Sequence, residues 1–210
     1  MSDLFSGLRS TTEVYPQTFL LPSFTQTKML RQLIVTIIKQ APFRKMATPN
    51  GHYTNIPLTN CGDWGWVSDE QGYRYSETDP LTGHPWPTMP DYFYQLANSA
   101  AAAVGFNNFS ADACLINQYK IGSKLGSHQD KNERDFTQPI VSVSIGLPAT
   151  FQIFGHRRSG KAVEINLYDG DVMVWGGQSR MMYHAVKTIK ANPNNPAQRY
   201  RYNITFRSSQ

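Results

Sequence analysis

Apolar side chains recur at helical spacing in two segments of the chain. From Thr25 to Gln40, aliphatic residues return every three or four positions, which predicts an amphipathic helix with Ser23 or Thr25 as its cap. A second helix is predicted from about Pro90 to Val104, because that segment is rich in alanine and is followed by Gly105. These two segments are the predicted helical part of the protein.

From Cys114 onward the hydrophobic pattern changes to a period of two, which is typical of strands. Asp169-Gly170 is a dipeptide that favours a hairpin turn between two of these strands. Many short strands joined by tight turns predict a mainly β protein with flanking α-helices. We therefore expect a double-stranded β-helix, a cupin-like jelly roll, packed behind N-terminal helices. The predicted strands include Pro139–Gly146, Ala149–Phe154, Ala162–Tyr168, Asp171–Trp175 and Met181–Lys187.

The segment from about 43 to 86 differs in composition from both of these parts. It is rich in glycine, proline, asparagine, threonine and aromatic residues, and Pro49-Asn50-Gly51 predicts a hairpin turn. We expect a substrate-recognition lid here. No linker interrupts the chain, so a single domain is predicted over residues 1–210, with its β-helix core at about 112–207.

Composition and charge narrow the possible functions. The 210 residues carry a net charge of +5 and include 2 cysteines. A positive surface attracts polyanions, nucleic acids above all. No apolar run is long enough to cross a membrane, and the N-terminus lacks the pattern of a secretory signal. We therefore expect a cytoplasmic protein that does not associate with membranes, with Cys61 and Cys114 as buried free thiols.

Two histidines and one aspartate have the spacing of a metal site. His128 and Asp130 are two positions apart, so on a strand they face the same side, and His184 follows several strands later. Two histidines and one carboxylate on one side of a metal leave positions open for substrate and O₂, which favours Fe(II). Zinc also accepts this set of ligands but has no redox chemistry.

The last predicted strand carries an unusual polar face. Arg201, Asn203, Thr205 and Arg207 alternate with tyrosine, isoleucine and phenylalanine. If the apolar face packs on the core, the arginines point into the barrel, where unpaired charge is costly. A dicarboxylate can neutralise them through charge-assisted hydrogen bonds. The strand therefore predicts an anionic cosubstrate beside the metal.

These motifs closely resemble the bacterial AlkB group of Fe(II)/2-oxoglutarate-dependent dioxygenases, which repair alkylated nucleic acids. The likeness extends from about residue 43 to residue 207. Its most specific elements are the final strand and the Asn117-x-Tyr119 strand. The matching motifs are Thr59-Asn60-Cys61-Gly62, Pro85-Trp86-Pro87, Asp112-Ala113-Cys114-Leu115-Ile116-Asn117, His128-Gln129-Asp130-Lys131, Val174-Trp175-Gly176-Gly177 and Arg201-Tyr202-Asn203.

The resemblance implies a role for each matching position. Fe(II) would be held by His128, Asp130 and His184. A base would stack between Trp66 and His128, and Tyr73 would be a second lid aromatic. The positions implied to contact 2-oxoglutarate are Asn117, Tyr119, Arg201, Asn203 and Arg207. The other positions implied to lie at the substrate are Met46, Thr48, Asn132 and Arg158.

The resemblance also implies the reaction. It is oxidative dealkylation of bases such as 1-methyladenine and 3-methylcytosine, using O₂ and releasing formaldehyde, succinate and CO₂. The expected partner is alkylated DNA, single-stranded or with a flipped base, with RNA as an alternative. The expected oligomeric state is a monomer. Relatives often have an acid two positions after the ligand aspartate, where this chain has Asn132, so the preferred base stays open.

Two other functions remain open at this point. The first is a 2-oxoglutarate hydroxylase that acts on a protein, a lipid or a small molecule. The second is a binding module that uses the same fold to bind nucleic acid without oxidising it. The aromatic lid and the basic charge count against the first function. The intact triad and the paired arginines count against the second.

Overall fold

The computed structural model describes residues 9–210 and places 13 strands and two α-helices there. The helices are α1 (Thr27–Gln40) and α2 (Asp91–Ala102). The strands are β1 (Thr12–Tyr15), β2 (Thr18–Leu21), β3 (Leu58–Gly62), β4 (Gly65–Asp69), β5 (Gly72–Ser76), β6 (Ala113–Lys120), β7 (Leu125–His128), β8 (Ile140–Gly146), β9 (Ala149–Gly155), β10 (Val163–Leu167), β11 (Val172–Trp175), β12 (Tyr183–Val186) and β13 (Tyr200–Arg207). A short 3₁₀-helix spans Gly177–Ser179.

Two antiparallel sheets form the body of the protein. The larger has seven strands in the order β1-β2-β11-β8-β13-β6-β3, and the smaller has four in the order β10-β9-β12-β7. The predicted mainly β jelly roll is confirmed. The strand β13 lies inside the larger sheet and pairs with β6 on one side and β8 on the other.

The apolar face of the larger sheet packs against the helices. Ile204 and Phe206 of β13 are fully buried, and Phe206 meets Phe93 of α2 edge-on with ring centroids 5.8 Å apart. Leu30, the first fully buried residue of α1, belongs to the same cluster. The opposite face of the sheet is thereby turned towards the smaller sheet, as the alternation along β13 predicted.

Both predicted helices are confirmed, each with ends within about two residues of those expected. The predicted caps of α1 are wrong, because Gln26 occupies the cap position without a side-chain hydrogen bond. Thr27 instead donates a hydrogen bond to Asp169, at 2.7 Å, and so ties the start of the helix to a distant turn. A tertiary contact here replaces a local cap.

Two features of the larger sheet differ from the sequence prediction. The strands β1 and β2 precede the helices, and β2 pairs with β11, whereas only helices and a lid were expected in this part. The turn at Asp169-Gly170 does not close a hairpin, because β10 and β11 belong to different sheets. Gly170 has the positive φ of a tight turn, +85°. The predicted tight turn is therefore present, but it connects a strand of the smaller sheet to a strand of the larger sheet.

The predicted lid segment divides into two parts. Its strand β3 belongs to the larger sheet, whereas β4 and β5 form a separate hairpin. The turn predicted at Pro49-Asn50-Gly51 is present, since the Thr48 backbone N–H donates to the His52 carbonyl at 2.7 Å. None of the helices in residues 9–210 is long and apolar enough to span a membrane.

The two cysteines face each other across neighbouring strands. Cys61 of β3 and Cys114 of β6 are register partners, and both are fully buried free thiols, as predicted. Burial, and then the neighbouring Cys61, raises the pKa of Cys114 well above its usual value. The Cys114 thiol is therefore neutral, and both cysteines act as core side chains.

The buried carboxylate of Asp171 links the N-terminal segment to the start of β11. Asp171 is fully buried and accepts hydrogen bonds from Arg9, at 2.7 Å, and from the backbone N–H groups of Ser23 and Tyr168, at 2.9 and 2.8 Å.

Asp171→Asn should lower the free energy of unfolding by about 2 kcal/mol, because an amide weakens these charge-assisted hydrogen bonds. Urea denaturation measures this change. The exposed control Glu164→Gln, which disturbs only surface contacts with Lys187 and Gln152, should leave the midpoint unchanged.

Candidate metal and cosubstrate site

The metal-ligand candidates meet between the two sheets. His128 ends β7 and is the register partner of His184 on β12, and Asp130 follows two residues after His128. One ligand atom from each of the three side chains lies within 4.8 Å of the others. The structure thus brings together residues that are more than fifty positions apart in the chain.

Backbone carbonyls orient the two imidazoles. The His128 Nδ1 lies 2.9 Å from the Gly126 carbonyl, and the His184 Nδ1 lies 3.2 Å from the Met182 carbonyl. A protonated Nδ1 that donates to each carbonyl leaves the Nε2 lone pair free for a metal. Burial, and then the nearby His128, lowers the pKa of His184 to about 4. His184 is therefore neutral at pH 7, as a metal ligand must be.

Asp130 is the anionic member of the group. Its Oδ2 accepts a hydrogen bond from Arg207 at 2.8 Å. Burial alone would raise the pKa of Asp130, but Arg207 and the two imidazoles outweigh burial and hold the pKa well below its usual value. Asp130 is therefore ionised, which suits a divalent cation.

Arg207 belongs to a buried network that continues towards the lid. The Glu133 carboxylate lies 3.4 Å from the Arg207 Nε, 3.1 Å from Arg180 and 2.6 Å from the Tyr75 hydroxyl on β5. Both Glu133 and Arg180 are almost completely buried. Through this network the lid hairpin, the metal-ligand loop and the last strand hold one another in place.

A narrow cavity beside the triad contains the second predicted group of residues. Arg201 is 2% exposed and donates hydrogen bonds to Ser144 at 2.8 Å and to the Leu147 carbonyl at 3.3 Å, but its Nε has no partner in residues 9–210. Burial lowers the pKa of Arg201 to about 10, so it is still charged at pH 7. A buried cation with an unused donor fits an anionic cosubstrate.

The other cosubstrate candidates lie around this cavity. Tyr119 is the register partner of Arg201, and Asn117 is that of Asn203. Tyr119, Asn203 and Arg207 line the cavity, whereas Asn117 is buried next to it and is not part of its wall. The wall also includes Trp175, whose indole N–H has no partner in the described part of the chain.

The lid candidates are more dispersed. Trp66 on β4 and Tyr73 on β5 stack on each other with centroids 5.7 Å apart, whereas His128 pairs with His184, at 4.3 Å. Trp66 therefore does not stack on His128 itself. The Trp66 indole N–H also donates to Asn132 at 3.1 Å.

The last three substrate candidates have different surroundings. Met46 is buried in the hydrophobic cluster against which Trp66 packs, so it supports the lid from beneath. Thr48 closes the exposed turn to His52. Arg158 is exposed on the turn between β9 and β10, apart from the triad.

Sequence reasoning did not identify Tyr75, Arg180 and Glu133 as part of the site. No motif marks them, since each acts through a partner that only the fold brings near. The one available signal was the pair of charged residues, Lys131 and Glu133, that flanks Asn132. A buried role for Glu133 could not be read from it.

The family comparison agrees with this geometry. A model of the 2OG-Fe(II) oxygenase superfamily matches residues 17–207. The alpha-ketoglutarate-dependent dioxygenase AlkB of Escherichia coli is 46% identical over 187 residues, which cover 89% of this chain and 87% of that protein. The chain belongs to the AlkB family of 2OG-Fe(II) oxygenases. The predicted family is thus confirmed, and with it the dependence on Fe(II), 2-oxoglutarate and O₂.

Two further relatives extend the comparison. The human nucleic acid dioxygenase ALKBH1 is 34% identical over 128 residues, which cover 61% of this chain and 33% of that protein. A solved structure of OsALKBH1 superposes with a TM-score of 0.80 at 26% identity, and the match covers 95% of this chain and 100% of that chain. The jelly-roll sheets are therefore those of an AlkB-type oxygenase, and a binding module without catalysis is no longer favoured.

Asp130→Ala should abolish both Fe(II) binding and turnover of 2-oxoglutarate, because the site loses its only carboxylate and leaves Arg207 facing the metal. Calorimetric titration with Mn(II) and measurement of succinate check this prediction. Asp135→Ala is the matched control, since Asp135 is a half-buried carboxylate in the same loop that accepts hydrogen bonds from Thr137 and is not one of the metal-ligand candidates. Normal succinate production by Asp130→Ala would refute the metal assignment.

Arg201→Gln should raise the KM for 2-oxoglutarate by about thirtyfold or more while Mn(II) binding is retained, because a buried carboxylate would lose its cation. Arg199→Gln, an exposed change just before β13, should leave the KM unaltered. A KM within twofold of the wild-type value for Arg201→Gln would show that the cosubstrate binds elsewhere.

Proposed function

We propose that this protein removes alkyl groups oxidatively from N-alkylated nucleobases in DNA, with RNA as an alternative substrate. The observation that carries the proposal is the arrangement of a His–Asp–His triad, a buried arginine cavity and an aromatic hairpin linked to both by one ion network. The names of its relatives support a nucleic-acid substrate, since one of them is a nucleic acid dioxygenase.

We assign the resident groups to the residues that fit them. His128, Asp130 and His184 would hold Fe(II), and Arg201 would bind the far carboxylate of 2-oxoglutarate. Fe(II) with 2-oxoglutarate and O₂ supplies the oxidation of the N-alkyl carbon, and the products are succinate, CO₂ and an aldehyde, formaldehyde for a methyl group. The protein's own part is to position these groups and to limit the access of water to the narrow cavity.

The residues of β13 differ in which part of the cosubstrate pocket they reach. Asn203 donates to Ser142 at 2.8 Å and to the Val143 carbonyl at 3.1 Å, which fixes its amide at the cavity wall. Arg207 lies at the metal end, where it neutralises Asp130. We assign Tyr119, Asn203 and Arg207 to the cosubstrate pocket and Asn117 to its support.

The lid would receive the base. A duplex hides the alkylated atom, so the base must be flipped out or presented in a single strand. Trp66 offers an aromatic face next to the triad, with Tyr73 and Met46 behind it. Base stacking on such a face tolerates different sequences.

Phosphate contacts would come from the turn between β9 and β10. Arg44 pairs with Asp79 and Lys187 pairs with Glu164, whereas Arg157 and Arg158 form no ion pair with any residue between 9 and 210. Arginines without an internal partner can neutralise phosphates. We assign Arg158 to the nucleic-acid surface and Thr48 to the rim of the cleft.

We also propose a domain organisation, an oligomeric state and a cellular location. Residues 1–210 would act as a single domain, with the recognition lid at about 43–86 and the core at about 112–207. We propose a monomer in the bacterial cytoplasm, in line with the relatedness to bacterial AlkB proteins.

The decisive experiment combines the protein with Fe(II), ascorbate, 2-oxoglutarate and a single-stranded oligonucleotide that carries 1-methyladenine or 3-methylcytosine. Mass spectrometry should show the loss of one methylene unit, dependent on iron and 2-oxoglutarate, with an equal amount of succinate. Succinate formation without any change in the DNA or RNA oligonucleotides would contradict the proposal and favour a protein, lipid or small-molecule substrate.

Trp66→Ala should weaken binding of the alkylated oligonucleotide by about 1–3 kcal/mol, because one base loses its stacking surface. Fluorescence anisotropy measures this under anaerobic conditions. Trp64→Ala is the control, since Trp64 is also half-buried but lines a separate cleft with Asp63 and Glu77. If Trp66→Ala lowers only the melting temperature, Trp66 is a packing residue.

A further inference from the structure

The guanidinium of Arg180 contacts both ends of the metal-ligand loop, residues 129–139. This loop contains no helix or strand. The Arg180 Nη1 donates a hydrogen bond to the Asp130 carbonyl at 2.9 Å, and the Nε donates to the Gln138 carbonyl at 3.0 Å. Arg180 is only 2% exposed. One planar, rigid group therefore joins two main-chain positions at opposite ends of the loop.

The other contacts of this guanidinium are made to the same loop. Its Nη2 donates to the Glu133 carboxylate at 3.1 Å, and its Cζ lies 4.8–6 Å class contact distance, 5.3 Å, from the centroid of the Phe136 ring. Glu133 balances the buried charge of Arg180. A lysine in this position would keep the charge, but its single ammonium could not reproduce the planar fork that reaches three acceptors.

A second hydrogen bond runs in the opposite direction between the same two segments. Gln129 precedes Asp130 in the chain, and its Nε2 donates to the carbonyl of Met181, the neighbour of Arg180, at 2.6 Å. Each segment thus offers one side chain to the main chain of the other. Two such reciprocal bonds fix the relative placement of the segments more tightly than either bond alone.

Asp130 needs this brace more than the two histidines do. His128 and His184 are register partners on the paired strands β7 and β12, but β7 ends at His128. Asp130 therefore lies beyond the strand pairing, although its Oδ2 must come within 4.0 Å of the His184 Nε2. Arg207 binds the Asp130 carboxylate, whereas Arg180 holds its main chain.

We propose that Arg180 is a positioning residue for the metal, which acts together with Gln129 to set the distance between Asp130 and the two imidazoles. A metal site requires its ligands to be held within about 0.5 Å of the productive geometry. This inference goes beyond the proposed function and rests on its assignment of the metal to His128, Asp130 and His184.

The first test titrates the full-length, metal-free protein with Mn(II) in a calorimeter. Arg180→Lys should raise the Kd for Mn(II) about tenfold or more, because residues that orient metal ligands contribute on this scale. The KM for 2-oxoglutarate at saturating Fe(II) should change by less than about threefold, since the bonds of Arg201 to Ser144 and Leu147 are untouched. Arg31→Lys is the matched control, because it makes the same change in the ion pair with Asp169, and it should keep the wild-type Kd.

A second variant tests the other half of the brace. Gln129→Met removes the donor to Met181 but keeps a side chain of similar length, and it should raise the Kd for Mn(II) in the same direction. If the two bonds act as one brace, the double variant should raise the Kd by less than the product of the two single increases. Because Gln129 is only half-buried, this variant decides the question if Arg180→Lys does not fold.

The outcomes that would overturn the inference are distinct. If the wild type binds Mn(II) and both folded single variants keep its Kd, Arg180 does not position the metal, and the ligand assignment stands. If Arg180→Lys lowers the urea midpoint and weakens Mn(II) and 2-oxoglutarate equally, Arg180 has only a general structural role. If Asp130→Ala binds Mn(II) as tightly as the wild type, the ligand assignment itself fails and this inference fails with it.

Discussion

The site depends on one buried cation, the guanidinium of Arg207. It neutralises the metal-ligand candidate Asp130 and contacts Glu133, which in turn holds Arg180 and Tyr75. A buried ion pair is tolerated only when each charge keeps its partners. The last strand, the metal-ligand loop, the segment after the 3₁₀-helix and the lid hairpin must therefore be placed together, so the network couples the precision of the iron site to the position of the lid.

Much of the fold could be predicted from the sequence because its pattern is local. The alternation along β13 identifies the face that packs on α2, and the period of α1 identifies its buried stripe. The partners of each strand could not be predicted in the same way. Asp169-Gly170 specifies a tight turn, but whether the chain then pairs back or crosses to the other sheet depends on contacts with distant residues. The pairing of β2 with β11 is equally non-local.

The candidate site shows the same contrast between residues marked by a local pattern and residues placed by distant contacts. Two ligands that are two positions apart and a polar strand face leave a readable pattern, so His128, Asp130 and Arg201 were predicted and lie together. Residues that act through a partner leave no pattern. Glu133 is an ordinary acidic residue in the sequence, and Met46 gives no sign that it lies beneath Trp66. Reading these roles requires the packing itself.

The central position of β13 has a consequence for how the protein is made. This strand, the last of those in residues 9–210, is inserted between β8 and β6, both of which are synthesised earlier. Until residue 207 has left the ribosome, the larger sheet stays split, and neither arginine of the cosubstrate pocket is available. Contacts so distant in sequence form slowly. A nascent chain would therefore expose two unpaired strand edges and hold no cosubstrate, which makes the interval before β13 emerges a period of high risk for aggregation.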